Sequence, residues 1–498
     1  MKSVLSFLLA TTALVTGGEV AARTDRFDVA TAAVAELAGA TRGTPGAAPA
    51  LAVVMAAPGR TPVVYVDGVA DTRTGAAAGP DTPFYIASMT KAYVGLMAAE
   101  LDRRGVFDLD ASLTDVWPDL TIQGAEPSTI TFRQLLSHQA AIENDPLTFR
   151  TAYTDEVPAG DYDETLAMWT RPRETGFRYD NLGYLIYGAA LEVRTGRHWR
   201  TWLDEIILQP LAMNRTAASV SRLSGAAAAG QWTGEQWIST DVKPDSLMHA
   251  AGGLMASPAD LGRWLQANVE GQAVELPAAA FQVAHQSQIA VVADQDGIPC
   301  DGYALGWRTC ALKGAPFLLH GGGYTGARSQ MAVAPGLGVG IAVVANSETM
   351  TGYLASRLVE TFITLMADPD ASAPDVATFA ADYADKVATQ TRGRRKQLAD
   401  RRAEAQWAGW MWRPDAAVLQ AYVGRYRSAE LGEAEVLLKD GSLILRLGEM
   451  AVSLEPAVSD LFGASADVLD RPDPVRFERT GRGVTAVDWD GDRFERLP

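Results

Sequence analysis

The chain contains 498 residues, of which 48% are hydrophobic and 21% are charged, a composition typical of folded globular proteins. Its 60 acidic residues outnumber 43 basic ones, and the net charge of −17 argues against a dedicated nucleic-acid-binding protein because such a surface repels phosphates. The five histidines and two cysteines show no metal-ligand spacing, so we expect chemistry that uses no metal and no other cofactor.

The N-terminal residues have the pattern of a signal peptide. Lys2 gives a positive start, an apolar run covers residues 4–15, and small residues lead to Ala22. We predict a signal peptide over residues 1–22 and a mature protein that is exported, periplasmic or secreted; a retained N-terminal anchor is the alternative. No later segment has the ~20 continuous apolar residues of a membrane helix, so we expect no transmembrane segment after cleavage.

The next part of the chain combines a hairpin with helices. Residues 23–45 predict an amphipathic helix followed by a turn, and residues 51–55 and 63–66 predict two strands of a hairpin. A long apolar helix is predicted from near Ser88 to Gly105, a natural residue for a helix end. Helices and loops follow it.

Three short β runs come late in this region, over residues 317–319, 330–333 and 340–344, and a helix from Met350 to Met366 closes it. Two strands therefore lie early, three lie late, and helices fill the middle. This order predicts an α/β (α+β) fold, with an antiparallel sheet flanked by helices.

The length exceeds what one hydrophobic core usually serves, so we expect two domains, the first over residues 23–367. Residues 368–413, rich in Ala, Asp, Arg and Gln, are predicted as a partly helical linker with three tryptophans that suggest docking onto the first domain. Residues 414–498 are predicted as a small β domain, where Asp440-Gly441 and Asp490-Gly491 indicate hairpin turns. The three tryptophans are Trp407, Trp410 and Trp412.

The segment Ser88-Met89-Thr90-Lys91 combines a serine at a helix N-terminus with a lysine one turn later on the same face. The helix around them is nearly apolar, so we expect Lys91 to be desolvated, to have a lowered pKa and to act as a base. An ordinary N-cap serine followed by a surface lysine is the alternative.

The segment Tyr179-Asp180-Asn181 precedes a helical pattern that ends at Gly196. Asn181 is either a simple N-cap residue or part of the site. Tyr179, close to a helix N-terminus and a lysine, is expected to have a stabilised phenolate that transfers a proton to a leaving group.

The segment His320-Gly321-Gly322-Gly323 follows an apolar strand. Three glycines in a strand indicate the close approach of a ligand or of another backbone, and a backbone N–H there can point at a developing oxyanion. The glycines also match a dinucleotide-binding fingerprint, but a strand rather than a helix follows them, which disfavours that interpretation.

The order of these three motifs resembles the serine β-lactamase and penicillin-binding-protein superfamily. It is similar in particular to class C β-lactamases, D-alanyl-D-alanine carboxypeptidases, D-aminopeptidases of the peptidase S12 type and related esterases. The resemblance covers roughly residues 27–366 and includes residues 81–88, which lead into the motif serine, and residues 130–138. The part that begins near Tyr422 resembles small β domains appended to some of these hydrolases.

The resemblance implies a role for each matching residue. Ser88 would be the acylated nucleophile, Lys91 its base partner and Tyr179 the general acid and base. The backbone N–H groups of Ser88 and Gly323 would form the oxyanion hole. The implied substrate-binding residues are Asn181, His320, Gly322 and Gly323.

One departure from the family pattern bears on the substrate. His320 and Gly321 stand where many relatives have the Lys and Thr that recognise a β-lactam or peptide carboxylate. A neutral imidazole is a poorer anion anchor than an ammonium group at pH 7. The departure therefore favours esterase or D-aminopeptidase activity over antibiotic hydrolysis.

We therefore expect an exported serine hydrolase that forms an acyl-enzyme with amide or ester substrates, either small molecules or short peptides, including peptidoglycan-derived ones. A β-lactamase is one alternative, and a penicillin-binding sensor that acylates but turns over slowly is another. Cys300 and Cys310 either form a disulfide in an oxidising compartment or remain two buried thiols.

Overall fold

The computed structural model describes residues 17–295, 297–465, 471–481 and 483–498. Most of the predicted signal peptide, residues 1–16, lies outside the described residues. None of the helices in the described part is both long enough and apolar enough to cross a membrane.

A nine-stranded antiparallel sheet forms the centre of the larger part of the molecule. Strands from both ends of this region meet in its middle, where Val339–Ala345 pairs with Ala50–Ala56. The predicted antiparallel sheet flanked by helices is confirmed. In spatial order the strands are Ile289–Gln295, Ile298–Tyr303, Arg308–Leu312, Ala315–Tyr324, Ala327–Ala334, Val339–Ala345, Ala50–Ala56, Val63–Asp71 and Ala76–Ala77.

Both faces of this sheet are covered by helices, and the two-residue period of the strands distributes the side chains between two cores. In Ala50–Ala56 the even-numbered residues belong to one core and the odd-numbered Leu51, Val53 and Met55 to the other. The helices of two turns or more are Gly17–Ala40, Thr90–Arg103, Tyr162–Trp169, Leu182–Thr195, Pro258–Glu270, Ala278–His285, Thr351–Ala367 and Val376–Arg402.

Shorter elements fill the region between the early and late strands. The short helices are Leu113–Val116, Phe132–Leu136, Asp145–Phe149, Trp199–Leu203, His249–Gly252 and, nearer the C-terminus, Ala416–Leu419. A small sheet pairs Phe84–Tyr85 and Thr216–Ala217 with Met255–Ala256, and two two-stranded sheets join Ile142–Glu143 to Arg171–Pro172 and Gly230–Trp232 to Trp237–Ser239.

The three strands between Ile289 and Leu312 are absent from the sequence prediction. Ile289–Gln295 lies at the edge of the sheet and alternates between half-buried and exposed residues, although its first five residues, 289–293, form an apolar run. Cys300 and Cys310 lie opposite each other on neighbouring strands and form a disulfide. The disulfide, rather than two free thiols, is therefore present.

The C-terminal part is a closed barrel of eight antiparallel strands, and the predicted small all-β domain is confirmed. Asp440 and Asp490 both have positive φ angles, of 50° and 51°, and each is followed by a glycine with positive φ, the conformation that a tight hairpin turn requires. The strands are Gly424–Ser428, Gly432–Lys439, Ser442–Leu447, Met450–Val458, Leu461–Ala464, Asp473–Thr480, Gly483–Trp489 and Asp492–Arg496.

The segment predicted as a linker contains the long helix Val376–Arg402, whose first half packs Phe379, Tyr383 and Val387 into the core of the larger part. The expectation for the tryptophans was wrong. Trp407 and Trp410 stack on each other and pack against Ala457 and Leu461 of the barrel, and Trp412 contacts Phe462 there. The tryptophans therefore close the end of the barrel instead of docking onto the larger part. The helix Val376–Arg402 spans the distance between the two parts, so the residues that follow it lie beside the barrel.

Candidate active site

Ser88 lies in a one-turn 3-10 helix, Ala87–Met89, that leads directly into the helix Thr90–Arg103. Ala87 has a φ of 45°, a left-handed conformation that costs free energy for a residue with a side chain. The turn is held by the neighbouring Ile86, whose N–H donates to the carbonyl of Leu254 and whose carbonyl accepts from Ser329 Oγ at 2.7 Å. The surrounding structure therefore fixes Ser88 at the mouth of the helix.

Lys91 is completely buried and follows Ser88 by one turn, as the motif predicts. Its Nζ lies 3.2 Å from Ser88 Oγ, 2.7 Å from Asn181 Oδ1 and 2.8 Å from the carbonyl oxygen of Ala251. Burial lowers the pKa of Lys91 to about 7, although the nearby Asp180 opposes this change. The predicted desolvated lysine is confirmed, and the alternative of a surface lysine is wrong.

The three neighbours of Lys91 determine where its lone pair points. A neutral amine has two N–H donors and one lone pair. The amide oxygen of Asn181 and the carbonyl of Ala251 are both acceptors, so together they take both N–H groups. The remaining lone pair of neutral Lys91 then faces the hydroxyl of Ser88, which is the arrangement of a general base and a nucleophile.

Asn181 precedes the helix Leu182–Thr195, but its side chain makes no capping hydrogen bond. The side chain accepts a hydrogen bond from Lys91 instead. The simple capping interpretation is therefore wrong for this side chain, and Asn181 belongs to the site.

Tyr179 contacts the same group of residues. Lys91 Nζ lies 5.1 Å from the centre of its ring, and the side chain of Ser88 is close enough to act on the pKa of its hydroxyl. Burial raises the pKa of Tyr179 to about 12, and this effect outweighs the opposing effects of Ser88 and Arg308. The expected phenolate is therefore wrong: the resting residue is a phenol at pH 7, because burial disfavours the charged phenolate.

The glycines after His320 allow the strand Ala315–Tyr324 to pass very close to the turn that holds Ser88. A Cβ atom on Gly322 would lie 2.2 Å from the carbonyl oxygen of Ile86 and 3.1 Å from the backbone nitrogen of Ser88. A side chain does not fit there without displacing backbone. The predicted close approach of another backbone is confirmed. It places the next residue of the strand, Gly323, near Ser88.

One edge of this strand is open where the glycines lie. Arg308–Leu312 pairs with residues 315–319 only, whereas Ala327–Ala334 pairs along the opposite edge up to Tyr324. In the described part of the chain, no sheet strand pairs with residues 320–324 on the first side. An extended substrate can therefore form backbone hydrogen bonds along this edge.

His320 is buried and joins two residues that the sequence analysis did not recognise as part of the site. Tyr303 Oη lies 3.1 Å from Nε2 of His320 and 3.1 Å from Nε2 of His138. Burial, and after it the amine of Lys91, lowers the pKa of His320 well below its usual value, so the imidazole is neutral at pH 7. We call His138, Tyr303 and His320 the His–Tyr–His chain.

The direction of each hydrogen bond in the His–Tyr–His chain follows from its two ends. The backbone N–H of Asp180 donates to Nδ1 of His138, so the neutral His138 carries its proton on Nε2 and donates it to Tyr303. Nδ1 of His320 lies 2.7 Å from the carbonyl oxygen of Gly321 and must donate to it. Nε2 of His320 is then an acceptor, and the hydroxyl of Tyr303 donates to it.

Arg308 supplies a positive charge at one end of the open edge. Its guanidinium lies 5.7 Å from the ring centre of Tyr179 and 5.8 Å from that of Phe177, and its Nε donates to Gln295. Arg308 forms no ion pair with a carboxylate among the residues that the structure describes. The anion-binding capacity that a neutral His320 lacks is therefore available from Arg308.

A separate group of side chains has the donor set of a metal site. Donor atoms of Glu156, His198 and His249 all lie within 4.8 Å of one another, although the sequence spacing gave no sign of this. Arg200 lies 3.2 Å from the carboxylate of Glu156. Burial acts to raise the pKa of Glu156, but His198 and Arg200 lower it to about 2. Arg200 thus already supplies the positive charge, and we interpret the group as a half-buried ion pair.

The comparisons with known proteins agree with this geometry. Residues 31–364 match the model of the Beta-lactamase family. Penicillin-binding protein 4 of Amycolatopsis lactamdurans is 28% identical over 324 residues, which are 61% of this chain and 84% of that protein.

Two solved structures share the fold. The D-amino acid amidase of Ochrobactrum anthropi SV3 is 19% identical with a TM-score of 0.57, over 70% of this chain and 100% of that one. The octameric penicillin-binding protein homologue of Pyrococcus abyssi is 18% identical with a TM-score of 0.58, over 95% of this chain and 99% of that one. The family match spans more than half of the chain and contains all the motif residues, so the chain belongs to the Beta-lactamase family.

Proposed function

We propose that this protein is an exported serine hydrolase that forms an acyl-enzyme with amide or ester substrates, as a D-amino-acid peptidase or a carboxylesterase does. The observation that carries the proposal is the buried amine of Lys91, whose two N–H groups are engaged and whose lone pair faces Ser88 Oγ at 3.2 Å. The signal-peptide pattern and the disulfide support export, since disulfides persist in oxidising compartments.

In the first step Ser88 Oγ attacks the carbonyl carbon of the substrate, and its proton moves to Lys91 Nζ. The carbonyl oxygen becomes an oxyanion that accepts hydrogen bonds from the backbone N–H groups of Ser88 and Gly323. When the intermediate collapses, the bond to the leaving amine or alcohol breaks. Tyr179 gives its phenolic proton to that leaving group and regains a proton from Lys91, which leaves the amine neutral again.

In the second step water attacks the acyl-enzyme and releases the acid. Lys91 and Tyr179 accept the proton of the water and return it to Ser88 Oγ. The oxyanion interactions of the first step are used again. Each cycle therefore consumes one water molecule and restores every side chain to its starting protonation state.

The D-amino acid amidase among the structures that share the fold supports the hypothesis that the substrates are amides of D-amino acids. The penicillin-binding relative supports a second candidate function. In it, a β-lactam acylates the protein and the acyl-enzyme is hydrolysed only slowly. The neutral His320 argues against efficient antibiotic hydrolysis, whereas Arg308 offers an anion contact that a β-lactam carboxylate could use.

Turnover distinguishes these candidates. We expect the full chain to hydrolyse a p-nitrophenyl ester and a D-alanine p-nitroanilide with multiple turnovers, and the Ser88→Ala variant to lose at least a thousandfold in kcat/KM. The matched control is Ser356→Ala, which removes another buried serine hydroxyl on the opposite face of the sheet and leaves turnover unchanged. One equivalent of stable penicillin adduct without turnover would favour the slow sensor. Equal activity of the wild type and Ser88→Ala would contradict both.

A further inference from the structure

A cavity of about 670 Å³ lies between the larger part of the molecule and the barrel. Its first wall includes Tyr85, Tyr153 and Tyr324, and its second wall comes from barrel residues that include Met450 and Trp489. The volume falls in the range of small-molecule binding sites. None of the functions considered so far uses this cavity.

The cavity begins where the candidate active site ends. Tyr324 directly follows Gly323 on the strand with the open edge, and Tyr85 precedes Ser88 by three residues. The rings of Tyr85 and Tyr324 meet edge to face at 5.3 Å, and Tyr153 stacks on Tyr324 at 5.8 Å. A substrate that runs along the open edge toward Tyr324 therefore reaches this aromatic wall next.

The barrel is fixed against the larger part beside the cavity. The backbone N–H of Glu449 donates to the carbonyl of Thr154 at 2.6 Å, and Ser246 Oγ donates to the carboxylate of Glu449. A Cβ atom on Gly448 would lie 2.0 Å from the carbonyl oxygen of Thr154, so the two backbones are in direct contact. The barrel residues of the second wall are therefore held in a fixed position relative to the first wall.

The cavity carries an excess of negative charge. Asp490 and Asp492 line it from the barrel side, and neither forms an ion pair among the described residues. Partial burial, together with Glu430, Asp488 and Asp490, raises the pKa of Asp492, as expected where carboxylates face one another.

The polar groups of the opposite wall do not compensate for this charge. Lys243 is the basic residue among the described residues that line the cavity, and its Nζ is engaged by the carbonyls of Pro244 and Leu247. The hydroxyl of Tyr85 is buried and has no hydrogen-bond partner in the described part of the chain, although Tyr85, 7% exposed, lines the cavity. The wall therefore offers an unused polar group as well as aromatic surface.

We propose that this cavity binds the part of the substrate that continues past the reacting carbonyl, and that it selects a chain carrying a cationic group, an ammonium or a guanidinium. The aromatic wall packs against the apolar stem of such a chain and the barrel carboxylates bind its charge. The open edge then has a positive residue, Arg308, at one end and a negative cavity at the other. This proposal rests on the proposed function, because it assumes that the substrate is held at Ser88.

Binding to the full chain with Ser88→Ala tests the proposal without any need for turnover. The probes are N-acetylated D-alanine tetrapeptide amides with D-lysine at one end or at the other, each paired with its D-norleucine counterpart. Calorimetry is expected to show that one lysine peptide binds about three to ten times more tightly than its norleucine partner at low salt, and that the difference shrinks as salt is added.

Adding Asp490→Asn and Asp492→Asn is expected to remove that difference. The matched control is Asp440→Asn, which makes the same change in the same kind of Asp-Gly turn, outside the lining of the cavity, and preserves it. Equal affinity of the lysine and norleucine peptides, no binding of any peptide, or discrimination that survives the double substitution would overturn the proposal. Ester hydrolysis that depends on Ser88, measured separately, would leave the proposed function standing in each of these cases.

Discussion

At the scale of single residues, the environment of Lys91 separates this site from an ordinary helix start. Two acceptors hold the amine, the side-chain oxygen of Asn181 and the backbone carbonyl of Ala251, and burial lowers the affinity of the amine for a proton. Tyr179 keeps its proton in the same surroundings. One group is therefore poised to accept a proton and the other to donate one, the division of roles that acyl transfer needs.

The pH dependence of ester hydrolysis follows from the pKa of Lys91. Only the neutral amine accepts the proton of Ser88, so kcat/KM is expected to rise with pH and to reach half of its plateau near pH 7. Tyr179 does not ionise between pH 5 and 9, so it adds no second inflection to the pH–rate profile in that interval. Initial rates across this interval check the prediction, and a flat profile would contradict it. His320→Asn should retain the same midpoint, whatever its effect on the rate, since His320 is already neutral.

The His–Tyr–His chain predicts a role for a residue outside the three motifs. Tyr303→Phe removes one hydroxyl and leaves the facing nitrogens of His138 and His320 without a partner among the described residues. We expect kcat/KM to fall roughly tenfold, because a lost buried hydrogen bond costs about 1 kcal/mol and frees the orientation of His320.

A matched variant separates this positioning role from general stability. Tyr426→Phe removes another buried tyrosine hydroxyl, which donates to the carbonyl of Tyr422 in the barrel. Both variants should lower the thermal midpoint to a similar degree, and only Tyr303→Phe should slow hydrolysis. Equal kcat/KM in the two variants would show that Tyr303 is merely a packing residue.

At the scale of elements, the site depends on how closely the strand Ala315–Tyr324 passes the turn at Ser88. Gly321→Ala is expected to change kcat/KM by less than about threefold, because the nearest atom to a Cβ there, on the side chain of Gln295, is 3.4 Å away. Gly322→Ala is expected to reduce it by at least a hundredfold, since its Cβ would displace the backbone around Ile86. Purified variants with the same far-ultraviolet circular dichroism make the comparison fair. Similar losses in both would contradict the close approach.

Sequence patterns predicted the elements that carry long apolar runs, and the short motifs identified Ser88, Lys91 and the glycines. The edge strand Ile289–Gln295 was missed although residues 289–293 are apolar, because a short apolar run does not by itself distinguish a strand from a helix. Tyr303 escaped for a different reason: its partner His138 is 165 positions away, and no local pattern reports such a contact. The phenol of Tyr179 was mistaken for a phenolate because burial, which decides its pKa, is a property of the folded chain.

At the scale of the whole molecule, the buried histidines link folding to pH. Burial lowers the pKa of His138 and His285 to about 4 and that of His249 to about 3. In the unfolded chain these groups take up protons near pH 6.5, whereas the folded protein does not, so acid favours the unfolded state.

The free energy of unfolding is therefore expected to fall between pH 6.5 and 4, by about 1.4 kcal/mol per pH unit for each of these histidines. Urea unfolding at several pH values measures the slope. His285→Gln keeps a polar partner for Asn268 but does not titrate. It should therefore reduce the pH dependence of the free energy of unfolding by about the contribution of one histidine. A free energy of unfolding that is constant from pH 6.5 to 4 would be inconsistent with buried neutral imidazoles.

The central claim, that Lys91 makes Ser88 nucleophilic, is tested most directly by intact-mass spectrometry of the full chain after brief exposure to a fluorophosphonate. We predict a single adduct that peptide mapping places on Ser88, no adduct in Ser88→Ala, and labelling at least a hundredfold slower in Lys91→Met. An adduct on a different residue, or labelling of Lys91→Met at the rate of the wild type, would contradict the account.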